Sequence, residues 1–411
     1  MNGIRNIGQL VVGTGDKGPN SLDVRNDGCV IIEGGDVFWS GSAKALPQDV
    51  HAKVNKWFDA EGSSVVPGFV DSHTHLVYAG CRANEFSMRC AGATYEEIAE
   101  GGGGIRATAE HVAKSSVQDL VEASLPRLRR MLEFGITTVE IKSGYGLSVD
   151  GEIKMLKAIE ALRKRTPQTL VSTFLGAHVV PVEYKDRKEA YIRLIIDEML
   201  PRIAQDDLAT FCDVFCERGT FTPEETERIL RAAQSFGMKS KVHAEQLSSS
   251  GGIQTGVAVN AYSVDHCEHL TDLDVDSLAN ADHTVATLLP GATLFLGLTK
   301  WAPARKLLDA SVPVALSTDC NPGSSNTENI QLVASLGCTR LGMSVHESLA
   351  GITTMGAAAL GLGTRVGHLR PGSQADLCLL DSPDIDTLVY RFGGNGVRRV
   401  MVQGKWIGEN E

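Results

Sequence analysis

The stretch "VVPGFVDSHTHLVYAGCR", Val65 to Arg82, decides the fold. An apolar, β-rich run ends in two histidines one residue apart, and an arginine follows shortly after. Side chains two apart in a strand point to the same side. His73 and His75 therefore face one way at the end of the run, as two ligands of one ion must. Similar β-rich runs, each followed by a helical pattern, recur downstream: "GITTVEIKSG" (135–144), "TLVSTFLGAH" (169–178), "FCDVFCE" (211–217), "KSKVHAE" (239–245), "AYSVDHC" (261–267), "HTVATLLPG" (283–291) and "VPVALSTD" (312–319). Near-continuous apolar runs suit parallel strands buried on both faces, covered by the intervening helices. "SVQDLVEASLPRLRRMLEFG" (116–135) reads as one such helix, with apolar residues three and four apart and Gly135 placed to stop it. Eight strand–helix units predict an α/β chain folded as a TIM-like (β/α)8 barrel.

The flanks differ. Residues 1–65 alternate short apolar runs with Gly and Asp turns, as in "CVIIEGGDVFWSG" (29–41), and residues 366–411 do likewise in "ADLCLLDSP" and "VRRVMVQGKWIGE". Both are expected to pair in one small β-sandwich assembled from the two termini, leaving residues 66–365 to the barrel. The glycine run "GGGGIRAT" (101–108) reads as a flexible loop rather than a specific phosphate cradle.

Composition narrows the class. With 411 residues, 43% hydrophobic and 22% charged, and no apolar run of membrane-spanning length, the chain reads as a soluble globular protein. The start lacks the features of a secretory signal, so a cytoplasmic location is expected. Nine cysteines without a CxxC pair read as reduced thiols, mostly buried. A formal charge of −11 with no cationic cluster argues against nucleic acid as a partner. An anionic small substrate would need a local cation, and Arg82 is well placed.

Reactive residues of a barrel project from the C-terminal ends of its strands. Those ends carry His73, His75, His178, His243, His266 and Asp319. One strand-end histidine is more often structural than functional; five at one rim reverse that expectation. His243 and Asp319 can complete a three-histidine, one-carboxylate shell with His73 and His75, suited to Zn²⁺ or Fe²⁺ and leaving room for water. A water so bound becomes acidic enough to supply hydroxide at neutral pH, which implies metal-assisted hydrolysis.

At these residues the chain resembles the amidohydrolase superfamily: "PGFVDSHTH", "VHAE", "VDH" and "STD" at the first, fifth, sixth and eighth strands, and "LRPGSQADLCLLD" at the return to the terminal β-domain. More narrowly, "VYAGCRANEF", "AGATYEEIAEGGGGI", "EIKSGYGL", "GAHVVP", "DVFCERGTF" and "STDCNPGSS" are similar to the imidazolonepropionase family. The resemblance implies hydrolysis of 4-imidazolone-5-propanoate to N-formimidoyl-L-glutamate, in histidine degradation, with one divalent metal per chain and a homodimer. It implies substrate contacts from Arg82, Tyr145, His178, Gln246, Asn321, Gly323 and Ser324. Arg82 suits the substrate's propionate, while Tyr145 and His178 can hydrogen-bond the ring or the carboxylate. His266 or Asp319 would take the water proton, and His266 also suits stabilisation of the oxyanion.

Two departures matter. Deaminases of the superfamily carry a proton-shuttling glutamate three residues after the fifth-strand histidine. Here that position is Gln246, an amide that cannot shuttle a proton, which weighs against deamination and leaves its own role open. Glu245 beside it faces the opposite side where the strand is extended, and could act only if the strand has already ended. Glu217 could bridge a second metal, but a buried ion pair with Arg218 or Lys142 is the preferred reading, so one metal is expected. His269 reads as a supporting or surface residue, and His51, His111, His346 and His368 as surface or helix residues. A non-catalytic scaffold of the same fold should have lost ligands, and this chain keeps all four.

Overall fold

In the computed structural model, which describes residues 1–93, 97 and 103–408, the two ends of the chain meet in one mixed sheet. Its first strands are β1 (Asn2–Thr14), β2 (Leu22–Glu33), β3 (Asp36–Ser42), β4 (Lys56–Asp59) and β5 (Val65–Pro67). The sheet branches at β1, whose start pairs with β4 in parallel and whose later part pairs with β5. Ile4, Ile7, Leu10, Val30 and Val65 pack with Leu369, Leu377 and Leu379 from the other end of the chain.

The eight apolar runs then become β6 (Phe69–Asp71), β7 (Ile136–Lys142), β8 (Thr169–Ala177), β9 (Phe211–Cys216), β10 (Lys239–Ala244), β11 (Ser263–His266), β12 (Val285–Leu288) and β13 (Val314–Leu316). They form a second sheet, parallel throughout, in chain order. The chain then returns to the terminal sheet as β14 (Leu377–Leu380), β15 (Val397–Val402) and β16 (Lys405–Trp406), with β14 pairing with β5. Gly68 alone separates β5 from β6, and a Cβ there would fall 2.2 Å from Thr137 Oγ1.

The helix expected after the first strand spans Val117–Glu133; Ser116 and Asp119 form a capping box at its start, and Gly135 follows its end at φ +90°. Such a box satisfies two backbone donors that the first helical turn leaves unpaired. All nine cysteines are free and six are buried, in line with the reading of reduced thiols. Among the described residues no helix is long and apolar enough to cross a membrane. Gly101 and Gly102 of the glycine run lie outside the described residues.

The barrel closes through side chains below and backbone above. Low in the seam the helix Thr354–Ala359 packs on β6, where a Cβ on Gly356 would come 2.7 Å from Val70 O. One level up, Ser72 and Ser317 share a hydroxyl contact of 2.8 Å, and Asp71 accepts from Thr318 N (3.1 Å) and Thr318 Oγ1 (2.6 Å). At the rim the backbones join: Asp319 N donates to His73 O (3.1 Å) and His75 N to Cys320 O (3.0 Å). Burial pushes the Asp71 carboxyl up to about 7, against the lowering effect of its hydrogen bonds from Thr318 and His73. Thr318→Val removes the hydroxyl donor and should lower unfolding stability by about 1–3 kcal/mol. Thermal or urea unfolding reads the loss, and Thr318→Ser should recover most of it.

Candidate functional site

The rim bonds that close the barrel also bring its first and last strand ends to one point. His75 Nε2 lies 3.6 Å from Asp319 Oδ1 and 3.3 Å from His243 Nε2, and His73 Nε2 lies 3.7 Å from Asp319 Oδ1. Ligands held 2.0–2.1 Å from one tetrahedral ion sit about 3.3–3.4 Å apart, so the spacing suits a divalent metal. His73 Nε2 is buried without a hydrogen-bond partner, as befits a nitrogen that can serve as a metal ligand. Burial, then the neighbouring Lys142 and histidines, holds His73 well below the ordinary imidazole range; burial also lowers His75, helped by His178 and His243. Neutral imidazoles are the form that binds metal. His266 joins the group, its ring 5.7 Å from that of His73 and 5.5 Å from that of His243.

Beneath the histidines lies a layer of buried charge that sequence reading missed. Asp265 Oδ2 is 2.6 Å from His73 Nδ1, and Asp213 Oδ2 is 2.9 Å from His243 Nδ1. Each carboxylate faces the nitrogen that is turned away from the ligand cluster, which fixes the ring and its tautomer. Lys142 ties them together, with Nζ 2.7 Å from Glu140, 2.8 Å from Asp213 and 3.8 Å from Asp265. Burial opposes the lysine's charge, but the three carboxylates outweigh it and raise its pKa. Lys241 adds a contact of 3.7 Å to Asp265 and donates to Ser72 O. Spacing gave a signal: Asp71, Glu140 and Lys241 stand two residues before His73, Lys142 and His243, hence on the same side of their strands.

His266 lies at φ +85° and Cys267 at +67°, and Asp319 at +53°, all in the left-handed region. Such conformations cost energy and cluster where side chains must be aimed. Burial opposes a charge on His266, but Glu268, 3.7 Å from its Nδ1, and Asp319 raise its pKa overall. Burial raises the Asp319 carboxyl, against the pull of His266 and His243.

A cavity of about 450 Å³ opens above this group, and all seven residues expected to contact substrate line it: Arg82, Tyr145, His178, Gln246, Asn321, Gly323 and Ser324. Tyr145 is presented by a loop whose backbone N–H groups at Gly144, Gly146 and Leu147 bond the buried Glu152 carboxylate. Burial raises its phenol further, so it stays a donor. His178 places Nδ1 2.9 Å from Gly144 O, which makes Nδ1 the protonated nitrogen and leaves Nε2 an acceptor. Burial, with help from His243, lowers its pKa to about 3.

Asn321 uses its amide within the loop, accepting from Gly323 N (2.8 Å) and Ser324 N (2.7 Å) and donating to Asp319 O and Ser324 Oγ. It therefore shapes the wall. Ser324 Oγ donates to Asp319 Oδ2 at 3.2 Å. Gly323 packs against Arg82, and a Cβ there would lie 2.1 Å from Arg82 Nη1, which explains the glycine. Among the described residues Gln246 makes no side-chain hydrogen bond to the protein.

Three expectations change. Glu217 forms no ion pair with Arg218 or Lys142; its carboxylate accepts from the N–H groups of Arg218, Leu247 and Ser248 and from Ser248 Oγ, so it braces the loop that carries Gln246. Glu245 lies past the end of β10 at φ +53°, and its carboxylate accepts from four successive N–H groups, Ser250 to Ile253, at the start of the helix Gly252–Ala258. His368 is buried rather than on the surface, and burial lowers its pKa. His269 is half-buried beside Lys300, while His51, His111 and His346 are exposed.

Asp265→Ala should weaken divalent-metal binding about 10–100-fold, because His73 would lose the group that orients it; competition against a chelator measures the change. The His178 ring should remain neutral from pH 8 down to pH 5, so ¹⁵N spectra of labelled protein should show no titration of its nitrogens in that range. Its folded pKa lies below the unfolded value, so its contribution to stability is present above about pH 6.5 and lost as pH falls toward about 3.

Over residues 64–407 the chain matches the amidohydrolase family. It is 42% identical to the imidazolonepropionase of Geobacillus sp. (strain WCH70), over 98% of this chain and 97% of that protein. It is also 42% identical to the imidazolonepropionase of Alkaliphilus oremlandii, over 99% and 97%. Among solved structures, E. coli guanine deaminase superposes with a TM-score of 0.72 at 17% identity, covering 100% of this chain and 99% of that one. An adenosine deaminase from Xanthomonas campestris with bound Zn gives 0.70 at 18% identity, over 98% and 92%. These two speak for the fold. Full-length identity above 40%, together with the histidine–aspartate group at the barrel rim, makes this chain a member of the amidohydrolase family and, within it, of the imidazolonepropionases.

Proposed function

We propose that this protein hydrolyses the cyclic amide of 4-imidazolone-5-propanoate to N-formimidoyl-L-glutamate, a step of histidine degradation. The observation that carries the reading is one cavity uniting His75, His243, His266 and Asp319 with all seven expected substrate residues. Residues 66–365 form the catalytic domain and residues 1–65 with 366–411 an accessory one. The working unit is a cytoplasmic homodimer, on the expectation of the family.

His73, His75, His243 and Asp319 would hold a single zinc or iron ion. Such an ion polarises a carbonyl and acidifies water. Asp319 is the better base: burial makes its carboxylate more basic, and Oδ2 faces the Ser324 hydroxyl rather than the histidines. It takes the proton of the attacking water and returns it to the ring nitrogen as the bond from carbonyl carbon to nitrogen breaks, giving a carboxylate and a free amidine. His266 carries the proton that Glu268 favours and stabilises negative charge on the carbonyl oxygen. His178 Nε2 accepts from a ring N–H, Tyr145 donates, and Gln246, which cannot relay a proton, holds the ring. Arg82 binds the propionate.

The test uses freshly generated 4-imidazolone-5-propanoate and protein whose metal content is measured. Wild type should carry about one zinc or iron per chain and consume the ring absorbance, and His243→Ala should lose both metal and turnover. Protein that holds its metal but leaves this compound untouched would refute the substrate assignment.

A further inference from the structure

We infer that Arg89 is a specificity residue that, with Arg82, clamps the substrate's carboxylate. The inference rests on the substrate reading given above. Arg82 precedes the helix Ala83–Cys90, and Glu85 and Arg89 follow at intervals of three and four residues, which puts all three on one helix face. Four residues is the spacing at which Glu and Arg usually pair along a helix. No such pair forms, because Glu85 is already taken. Its Oε2 accepts from Arg82 Nε (2.9 Å) and lies 2.8 Å from Arg82 Nη2, and its Oε1 accepts from Gly104 N at 3.1 Å.

Arg89 is instead held by aromatic rings. Its guanidinium lies 5.8 Å from the ring centroid of Phe86 and 5.1 Å from that of Phe295, and the two rings stack at 5.0 Å. Phe295 ends the helix after β12, so the contact joins the helix that follows β6 to the helix that follows β12, with only β13 between those strands. Among the described residues the Arg89 side chain has no hydrogen bond and no ion pair, yet it lines the same cavity as Arg82, His75 and Asp319. Burial and the adjacent Arg82 both lower its pKa, as expected for a cation set beside another cation without its own anion.

Two arginines thus face one carboxylate at this end of the cavity, whose lining also includes the apolar Leu296 and Leu298, which follow Phe295 in the chain. A ligand carboxylate there would meet Nη1 of Arg82 and the unused N–H groups of Arg89. Stacking on rings leaves the guanidinium edge free to donate, so the fork is preorganised.

The test compares 4-imidazolone-5-propanoate with the corresponding propanamide in wild type, Arg89→Gln and Arg89→Lys. Wild type should favour the acid in kcat/KM. In Arg89→Gln that preference should fall by about ten-fold or more, through KM rather than kcat, and Arg89→Lys should lie between, since it keeps the charge but not the planar fork. Acid and amide are measured on the same preparation, so a smaller folded fraction cancels from the ratio. Equal losses on acid and amide, or an unchanged preference in both variants, would overturn the inference while leaving the substrate assignment intact. A wild type that opens neither ring would overturn the assignment and this inference together.

Discussion

A buried ammonium group, Lys142 Nζ, holds the floor of the site together. An unpaired charge at this depth costs several kcal/mol, and pairing offsets the cost only when the geometry is good. Here Glu140 and Asp213 approach within 2.8 Å, and Asp213 and Asp265 turn their remaining contacts toward His243 and His73. The lysine therefore holds Asp213 and Asp265 in place, and those carboxylates aim two imidazoles. The charge balance points the same way. Lys142 and Lys241 face Glu140, Asp213 and Asp265, and Asp319 stands above them, so the layer carries an excess of negative charge that a divalent cation would offset.

Aiming the upper side chains takes backbone strain as well as charge. Strand alternation sends successive residues to opposite faces. Asp265 and His266 are adjacent, yet Asp265 reaches His73 while His266 lines the cavity. The left-handed turn at His266 and Cys267 reconciles the two by ending the strand abruptly. Asp319 turns in the same way just where the seam closes, so its carboxylate lies over the histidines while its N–H bonds His73 O. Closure and ligand assembly are one event, and looseness in the seam would be felt first at the site.

How far the sequence could be read follows from the range of each interaction. Runs with period two or continuous burial are local, and all eight barrel strands fell within the segments they marked. The pair His73 and His75 was legible because two ligands sit on one strand, and the cavity gathers all seven substrate residues that the motifs nominated, together with His75, His243, His266 and Asp319. Asp213 and Asp265 were not singled out, and Lys142 was named only as a partner for Glu217. They lie on three different strands, and only the lateral order of the strands makes them neighbours. Glu217 was read as an ion-pair partner of Arg218 or Lys142, whereas the loop after β10 offers it backbone N–H groups instead. Arg89 was silent for a related reason, since Phe295, one of the two rings that hold it, lies about two hundred residues away in the chain.

A chain of net charge −11 that admits an anion raises an electrostatic question with a local answer. At physiological ionic strength, charges beyond about 8 Å are largely screened, so the overall balance sets solubility and long-range approach rather than affinity. What the ligand meets inside is decided by groups within that distance and at lower dielectric, where a guanidinium counts for more. Arg82 alone would be nearly cancelled by Glu85. Arg89 restores a net positive charge to that end, and Gly323 gives the Arg82 fork its room. The opposite end of the cavity, with Asp319 and the imidazoles, becomes attractive to a carbonyl only once a cation sits there. A ligand with a carboxylate at one end and a polarisable carbonyl at the other then has a single favourable orientation. That orientation places the reacting carbon over the histidines, so the charge layout selects the substrate and aligns it in the same step.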